Sequence, residues 1–368
     1  MSSNDVKPRV LVVDDSAFMR LMTTQILEGS GEFVVCGTAR NGFDAITQVH
    51  ELNPDVVTLD VDMPEMDGLN ALGYIMSETP RPVVMLSAGT TAGGKDAALR
   101  ALELGAVDFL LKPSGSISLD LRLISERIVD AVRAAASANP AGLRMLPTAT
   151  WTSVNSRRSG TVRLSALPVD GDRATQVVLI ASSTGGPRAL AAIVPRLPKN
   201  LPAAVLVVQH MPPGFTRSLA ARLDGMSDIH VTEGEEGDAL VNGRMYVAPG
   251  GYHMTVCDNG AGAVIALDAS AALWGVRPAA DILFTSAARL FGSASLAVVL
   301  TGMGRDGAAG ARLVRLGGGR TLIQDKATST IFGMPQAALS TAGADRLLPL
   351  NEIGPAIAEM VEAAAYVR

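Results

Sequence analysis

VLVVDDSAFMRLMTTQILEG (10–29) is the stretch whose reading decides the fold of the first half of the chain. Four apolar residues run without a break into two carboxylates, and after Ser16 the apolar residues return at helical spacing. A strand that is apolar along its whole length belongs to a parallel sheet covered on both faces. The same unit recurs downstream. FVVCGTA (33–39) precedes GFDAITQVHEL, DVVTLD (55–60) precedes GLNALGYIMSE, VVMLSAG (83–89) precedes KDAALRALELG, and VDFLLKP (107–113) precedes LDLRLISERIVDAV. Five strand-helix pairs predict a doubly wound (βα)5 domain over residues 1–133.

From 134 to 173 the periodicity fades into Ala, Ser, Thr, Pro and Gly, the texture of a linker. A second α/β domain is expected over 174–368, in which VVLIAS (177–182), AVLVVQH (204–210) and LAVVLTG (296–302) are strands of a mainly parallel, doubly wound sheet. Turn residues crowd the stretch 231–267 (EGEEGD, VNG, APGG, CDNGAG), which predicts an antiparallel insertion at the sheet edge.

The 368 residues exceed what one core usually organises, which agrees with two domains. A formal charge of −5 supplies no basic face for nucleic acid or anionic lipid. Cys36 and Cys257 are too few and too far apart for a disulfide framework or a thiolate metal site. No signal-peptide pattern opens the sequence, and no apolar run approaches the ~18 residues of a membrane helix. A protein of the cytoplasm, not inserted in a membrane, is the expectation.

Chemistry-bearing residues stand at the strand ends. Asp14 and Asp15 follow the first strand and Asp60 ends the third, so the three carboxylates converge at one sheet edge, where ligands of such folds bind. Their mutual repulsion favours a hard divalent cation such as Mg²⁺. Ser87 and Lys112 end the fourth and fifth strands, where both can contact phosphate oxygens. Taken singly, each aspartate has a plainer explanation as a helix N-cap; the set of three does not.

In the second half, Ser183 lies on the turn of VVLIASSTGGPRAL (177–190), where glycines and Pro187 open a helix whose first amides suit a developing oxyanion. Such turns also cradle phosphates. His210 ends the next strand, and Asp306 lies in VVLTGMGRDGAAG (298–310). A serine, a histidine and an aspartate at three strand ends fit a nucleophile, a base and an orienting acid. The turn is not the GxSxG elbow, because Ala181 replaces the first glycine. Asp281, in RPAAD, reads either as a helix cap or as a site residue, and His253, in GGYHM, either as a satisfied histidine or as a site residue.

With these motifs in place, VVDDS, TLDVDMPEMDG, MLSAGT and DFLLKP resemble the response-regulator receiver family. The resemblance implies Asp60 as phosphoacceptor, Mg²⁺ held by Asp15, Asp60 and the backbone carbonyl of Asp62 with help from Asp14, phosphate sensing by Ser87 and Lys112, and Phe109 at the position of the aromatic switch. SSTGGP, QHMPPGF and TGMGRDGAAG resemble the catalytic domain of the chemotaxis response-regulator protein-glutamate methylesterases, and the two resemblances together cover nearly the whole chain. This second resemblance implies Ser183, His210 and Asp306 as a catalytic triad. It places Met303 and, more weakly, Thr184 in the oxyanion neighbourhood.

The implied substrates are γ-glutamyl methyl esters, and certain glutamines, on the cytoplasmic helices of chemoreceptors, with a chemotaxis-type histidine kinase as phosphodonor and no cofactor for the hydrolase step. The family's motif reads GASTGG, whereas this chain has Ala181 and Ser182 before Ser183, which leaves Ser182 as the alternative nucleophile. A DNA-binding output domain is the competing expectation for a receiver, but the second half supplies no basic recognition helix. A catalytically inactive adaptor is disfavoured by the intact Ser183, His210 and Asp306.

Overall fold

In the computed structural model, residues 7–87, 92–112, 120–139 and 173–365 are described. The expected linker 134–173 falls mostly outside them.

The first domain alternates β1 (Arg9–Val13), α1 (Ala17–Gly29), β2 (Val34–Ala39), α2 (Gly42–Leu52), β3 (Val56–Asp60), α3 (Gly68–Glu78), β4 (Val83–Ser87), α4 (Ala92–Leu104), β5 (Asp108–Leu111) and α5 (Asp120–Ala136). The sheet order is β2-β1-β3-β4-β5 with every pairing parallel, as the unbroken apolar runs require. Residues β3 and β4 bury along their whole length. Side-chain caps start three helices: Ser16 accepts from the Met19 amide, Asn41 from Asp44 and Asp67 from Asn70. None of these caps is Asp14, Asp15 or Asp60, so the strand-end aspartates are not spent on helix starts. Helix α5 continues past Arg133 to Ala136, because Ala134 and Ala135 still bury against the core.

The second domain contains β6 (Val177–Ser182), α6 (Gly186–Ile193), β7 (Ala204–Gln209), α7 (Phe215–Gly225), β8 (His230–Glu233), β9 (Arg244–Val247), β10 (His253–Asp258), β11 (Ala263–Asp268), α8 (Ala280–Phe291), β12 (Ser295–Val299), α9 (Ala308–Leu316), β13 (Arg320–Gln324), α10 (Gly333–Thr341), β14 (Arg346–Leu348) and α11 (Leu350–Ala365). Seven strands form a parallel sheet in the order β14-β13-β12-β6-β7-β9-β8. The antiparallel insertion is the β10-β11 hairpin. Within the turn-rich stretch, however, β8 and β9 join the main sheet in parallel, β9 beside β7. The connection 234–243 between β8 and β9 gives the chain room to return to the same sheet end, which a hairpin would not need. Among the described residues no helix is long and apolar enough to cross a membrane.

Strand β6 lies between β7 and β12, so the chain winds outward in opposite directions from its carboxyl end. That crevice is the ligand-binding position of open parallel sheets. The two domains are packed together: Leu99 of α4 is buried in the core of the second domain, and Ile331 in that of the first.

Candidate active site

Ser183 follows β6 directly and is the one residue of 181–187 that is not buried. Its neighbour Ser182 is fully buried, and its hydroxyl donates to Oε1 of Gln209 at 2.7 Å. Strand alternation points the two serines to opposite sides, and only Ser183 is left for a substrate. The same Gln209 donates through Nε2 to the Ser183 carbonyl at 3.0 Å and so braces the turn.

His210 follows β7 in the register that pairs Ser182 with Gln209. Its Nε2 stands 2.8 Å from Oδ2 of Asp306. Asp306 is not at a strand end, as the sequence suggested, but in the loop from β12 to α9, where it is 2% exposed. Its carboxylate accepts four bonds. Oδ2 takes the Ala280 amide at 2.6 Å besides His210, and Oδ1 takes the amides of Asp281 at 2.9 Å and Gly307 at 3.0 Å. Burial alone disfavours the ionised form, but His210 and these amides outweigh it and hold Asp306 below the ordinary carboxylate range.

The loop bearing Met303 is drawn onto the serine turn. Ser183 N donates to the Thr301 carbonyl at 3.1 Å, and Thr301 Oγ1 donates to the Thr184 carbonyl at 3.0 Å. Between them Gly302 is required, since a Cβ there would stand 2.3 Å from Met334 Sδ and 2.9 Å from Ser183 Cβ. Met303 follows this contact with its side chain partly exposed. The Thr184 hydroxyl donates to Oδ2 of Asp108, from the first domain, at 3.3 Å.

His253 is fully buried, with Nδ1 accepting from the Ala279 amide and Nε2 facing the Ala271 carbonyl, both at 3.1 Å. It is a satisfied structural histidine. Gln209, Thr301 and Asp108 went unnoticed in the sequence. A polar residue ending or opening an apolar strand is their common signal, and it is a weak one.

In the first domain, Asp14, Asp15 and Asp60 place ligand oxygens within 4.8 Å of one another. Lys112 Nζ lies 2.6 Å from Asp14 Oδ2 and 2.7 Å from Asp60 Oδ2. Ser87 is buried at the end of β4, and Asp62 is exposed just beyond β3. An all-oxygen donor set with two aspartates already bridged by one lysine suits a hard cation such as Mg²⁺. Phe109 packs its ring 5.7 Å from that of Phe215, at 46°, across the domain boundary.

Burial, partly offset by Lys112, pushes Asp60 up to about 6. Its raised value means stability that is present below the unfolded value of 3.8 and lost as pH rises through about 6. At pH 7.5 the buried, ionised Asp60 therefore weakens the fold, and Lys112 offsets only part of that cost. Asp60→Asn should raise the melting temperature at pH 7.5 by several degrees and change it little at pH 4. Mg²⁺ at a hundred times its Kd should stabilise the wild type by about 2.7 kcal/mol at pH 7.5. Equal Mg²⁺ shifts for wild type and Asp60→Asn in a thermal melt would contradict this.

Comparison with known proteins agrees with this layout. The model for the CheB methylesterase family matches residues 178–357, and that for the response regulator receiver domain matches 10–123. A protein of Pyrococcus abyssi named protein-glutamate methylesterase/protein-glutamine glutaminase is 47% identical over 97% of this chain and 94% of its own length. The chain belongs to the protein-glutamate methylesterase/protein-glutamine glutaminase family. A member from Symbiobacterium thermophilum is 48% identical over 98% of this chain and 99% of its own. Among solved structures of the family, the Thermotoga maritima CheB methylesterase catalytic domain is 45% identical and covers 50% of this chain and 98% of that one, at a TM-score of 0.49. Family membership joins the acidic pocket and the serine turn in one molecule.

Proposed function

We propose that this protein hydrolyses γ-glutamyl methyl esters of proteins, and the side-chain amides of certain glutamines, with Ser183 as nucleophile, His210 as base and Asp306 as the acid that orients it. The observation that carries the reading is the 2.8 Å contact between His210 and the buried Asp306, one strand away from the half-buried Ser183. With Nε2–H donated to Asp306, Nδ1 is the ring nitrogen left to take the Ser183 proton. Attack on the ester carbonyl forms the Oγ–C bond and an oxyanion, to which we assign the Met303 backbone amide as donor, on the loop that Gly302 packs against Ser183. The tetrahedral intermediate collapses with His210 returning the proton to the leaving methanol, or to ammonia from a glutamine. Water then attacks the acyl-enzyme with the same histidine as base and leaves a glutamate carboxylate. The substrates we assign are the methylated cytoplasmic helices of chemoreceptors. The test is methanol and ammonia release from methylated receptor; a protein that releases neither would overturn the assignment.

Control belongs to the first domain, with Asp60 accepting a phosphoryl group from a chemotaxis-type histidine kinase. Mg²⁺, held by Asp15, Asp60 and the Asp62 carbonyl with Asp14 nearby, would supply charge neutralisation for the incoming phosphate. Ser87, Lys112 and Phe109 would read the phosphoryl group, and Phe109 stands against Phe215, five residues after His210. Thr184, the residue after the serine, donating to Asp108, and an ion pair of Glu103 with Arg222 hold the unphosphorylated domains together. Phosphorylation then shifts the population towards an open form. Glu103→Arg, which sets two cations face to face, should raise methanol release without phosphodonor about three- to tenfold, and Arg222→Glu added to it should restore the low rate. An unchanged basal rate in Glu103→Arg would count against closure by this face.

A further inference from the structure

Asp281 lies in the first turn of α8, is 5% exposed and takes no part in the chemistry described above. It is not the cap of its own helix, whose N-cap is Ala279. Its carboxylate reaches instead to the next helix, where Oδ1 accepts the Gly310 amide in the first turn of α9 at 2.7 Å. Asp306, just before α9, reciprocates by accepting the Ala280 and Asp281 amides of α8. Each helix start is thus satisfied by a carboxylate from the other, and each carboxylate lies in the positive field of an N-terminus. The helices meet closely: a Cβ on Gly310 would stand 2.4 Å from Phe284 Cβ and 3.2 Å from Asp281 Cα.

The second carboxylate oxygen of Asp281 accepts from the indole Nε1 of Trp274 at 2.9 Å. Trp274 is 52% exposed and holds a φ of +56°, a conformation that bulky residues rarely adopt. Its ring carries the guanidinium of Arg305 at 5.1 Å from the centroid, and Arg305 immediately precedes Asp306. A buried carboxylate therefore connects an exposed aromatic-cation pair to the turn that fixes His210.

We propose that Asp281 is a positioning residue of the hydrolase centre, tying the Asp306 turn and the exposed Trp274–Arg305 pair into one rigid unit. The proposal rests on the assignment of His210 and Asp306 made above. Substrate that leans on Trp274 and Arg305 thereby meets a wall in fixed register with the base.

The test uses the full chain activated with Mg²⁺ and a small phosphodonor, with methanol release from methylated receptor as the readout. In Asp281→Asn one oxygen becomes an amide that opposes either the Gly310 N–H or the Trp274 N–H. The expected result is a fall in kcat of about 10- to 100-fold with KM within about threefold of wild type. Adding Trp274→Phe removes the opposing indole N–H and should recover part of that loss, which a general loss of stability would not allow. Amide exchange at Gly310 should quicken about tenfold or more in Asp281→Asn, a readout independent of activity. An Asp281→Asn protein with kcat within twofold of wild type and unaltered Gly310 exchange overturns the proposal. If Asp281→Asn does not fold, Trp274→Phe alone decides: a kcat loss of about threefold or more at an unchanged melting temperature supports it, and an unchanged kcat overturns it. Absence of methanol release from wild type would instead strike the proposed activity, and Gly310 exchange would still judge Asp281.

Discussion

Ser183→Ala should reduce methanol release from methylated receptor by about 10⁵-fold or more, whereas Ser182→Ala should leave turnover within about tenfold of wild type. The size of the first effect follows from removing the atom that forms the acyl-enzyme: the whole constellation then fails together, and the residual rate comes from binding and oxyanion stabilisation alone. The modest effect of the second follows from the place of Ser182, whose hydroxyl is spent on Gln209 in the core. Losing that bond strands the Gln209 carbonyl oxygen at a cost of about 1–3 kcal/mol, felt through the turn rather than in the chemistry. Mass spectrometry of the denatured enzyme during turnover should find acyl adducts on Ser183 in wild type and none in Ser183→Ala. Wild-type turnover in Ser183→Ala with loss in Ser182→Ala would move the nucleophile by one residue.

The other large effect is expected at Asp306. In Asp306→Asn the new amide must face two donors wherever it is placed: His210 and Ala280 on one side, Asp281 and Gly307 on the other. If it faces His210, the imidazole must offer a lone pair on Nε2 and carry its proton on Nδ1, the wrong tautomer for taking a proton from Ser183. A loss of about 10⁴-fold in kcat is expected. Stability should fall as well, with a definite pH dependence. The folded carboxyl titrates below 3.8, so Asp306 contributes stability that is present above that pH and lost as pH falls through the lower folded value. The gap in melting temperature between wild type and Asp306→Asn should therefore be wide at pH 7 and shrink as pH falls below 3.8. A gap independent of pH would mean that the ionised form of Asp306 is not what the fold holds.

Both predictions depend on parts of the molecule that were unequally legible in the sequence. The runs at 10–13, 56–59 (apolar but for Thr58), 177–181 and 204–208 could be read directly as strands, because a strand buried on both faces is composed almost wholly of apolar residues. The acidic pocket was equally open, since Asp14, Asp15 and Asp60 each close such a run. Asp306 was read as a strand-end residue and instead lies on a loop that carries it back over α8. Strands β8 and β9 were read as part of an antiparallel insertion, because turn residues mark where a chain bends without saying which sheet it rejoins.

By itself, then, the sequence determined two doubly wound layers, the strand ends that bear carboxylates, serine and histidine, and the family to which their motifs belong. Those properties are local: they depend on whether a residue is apolar and where it falls in a period of two or of 3.6. Only the tertiary structure decided that Ser182 is spent in the core, that His253 is satisfied by backbone, that Thr184 meets Asp108 of the first domain and that Asp281 serves α9 rather than its own helix. Each of those outcomes is a choice of hydrogen-bond partner between residues about 18 to 76 positions apart. Packing makes that choice, because a buried polar group must take whatever partner the folded chain brings within reach.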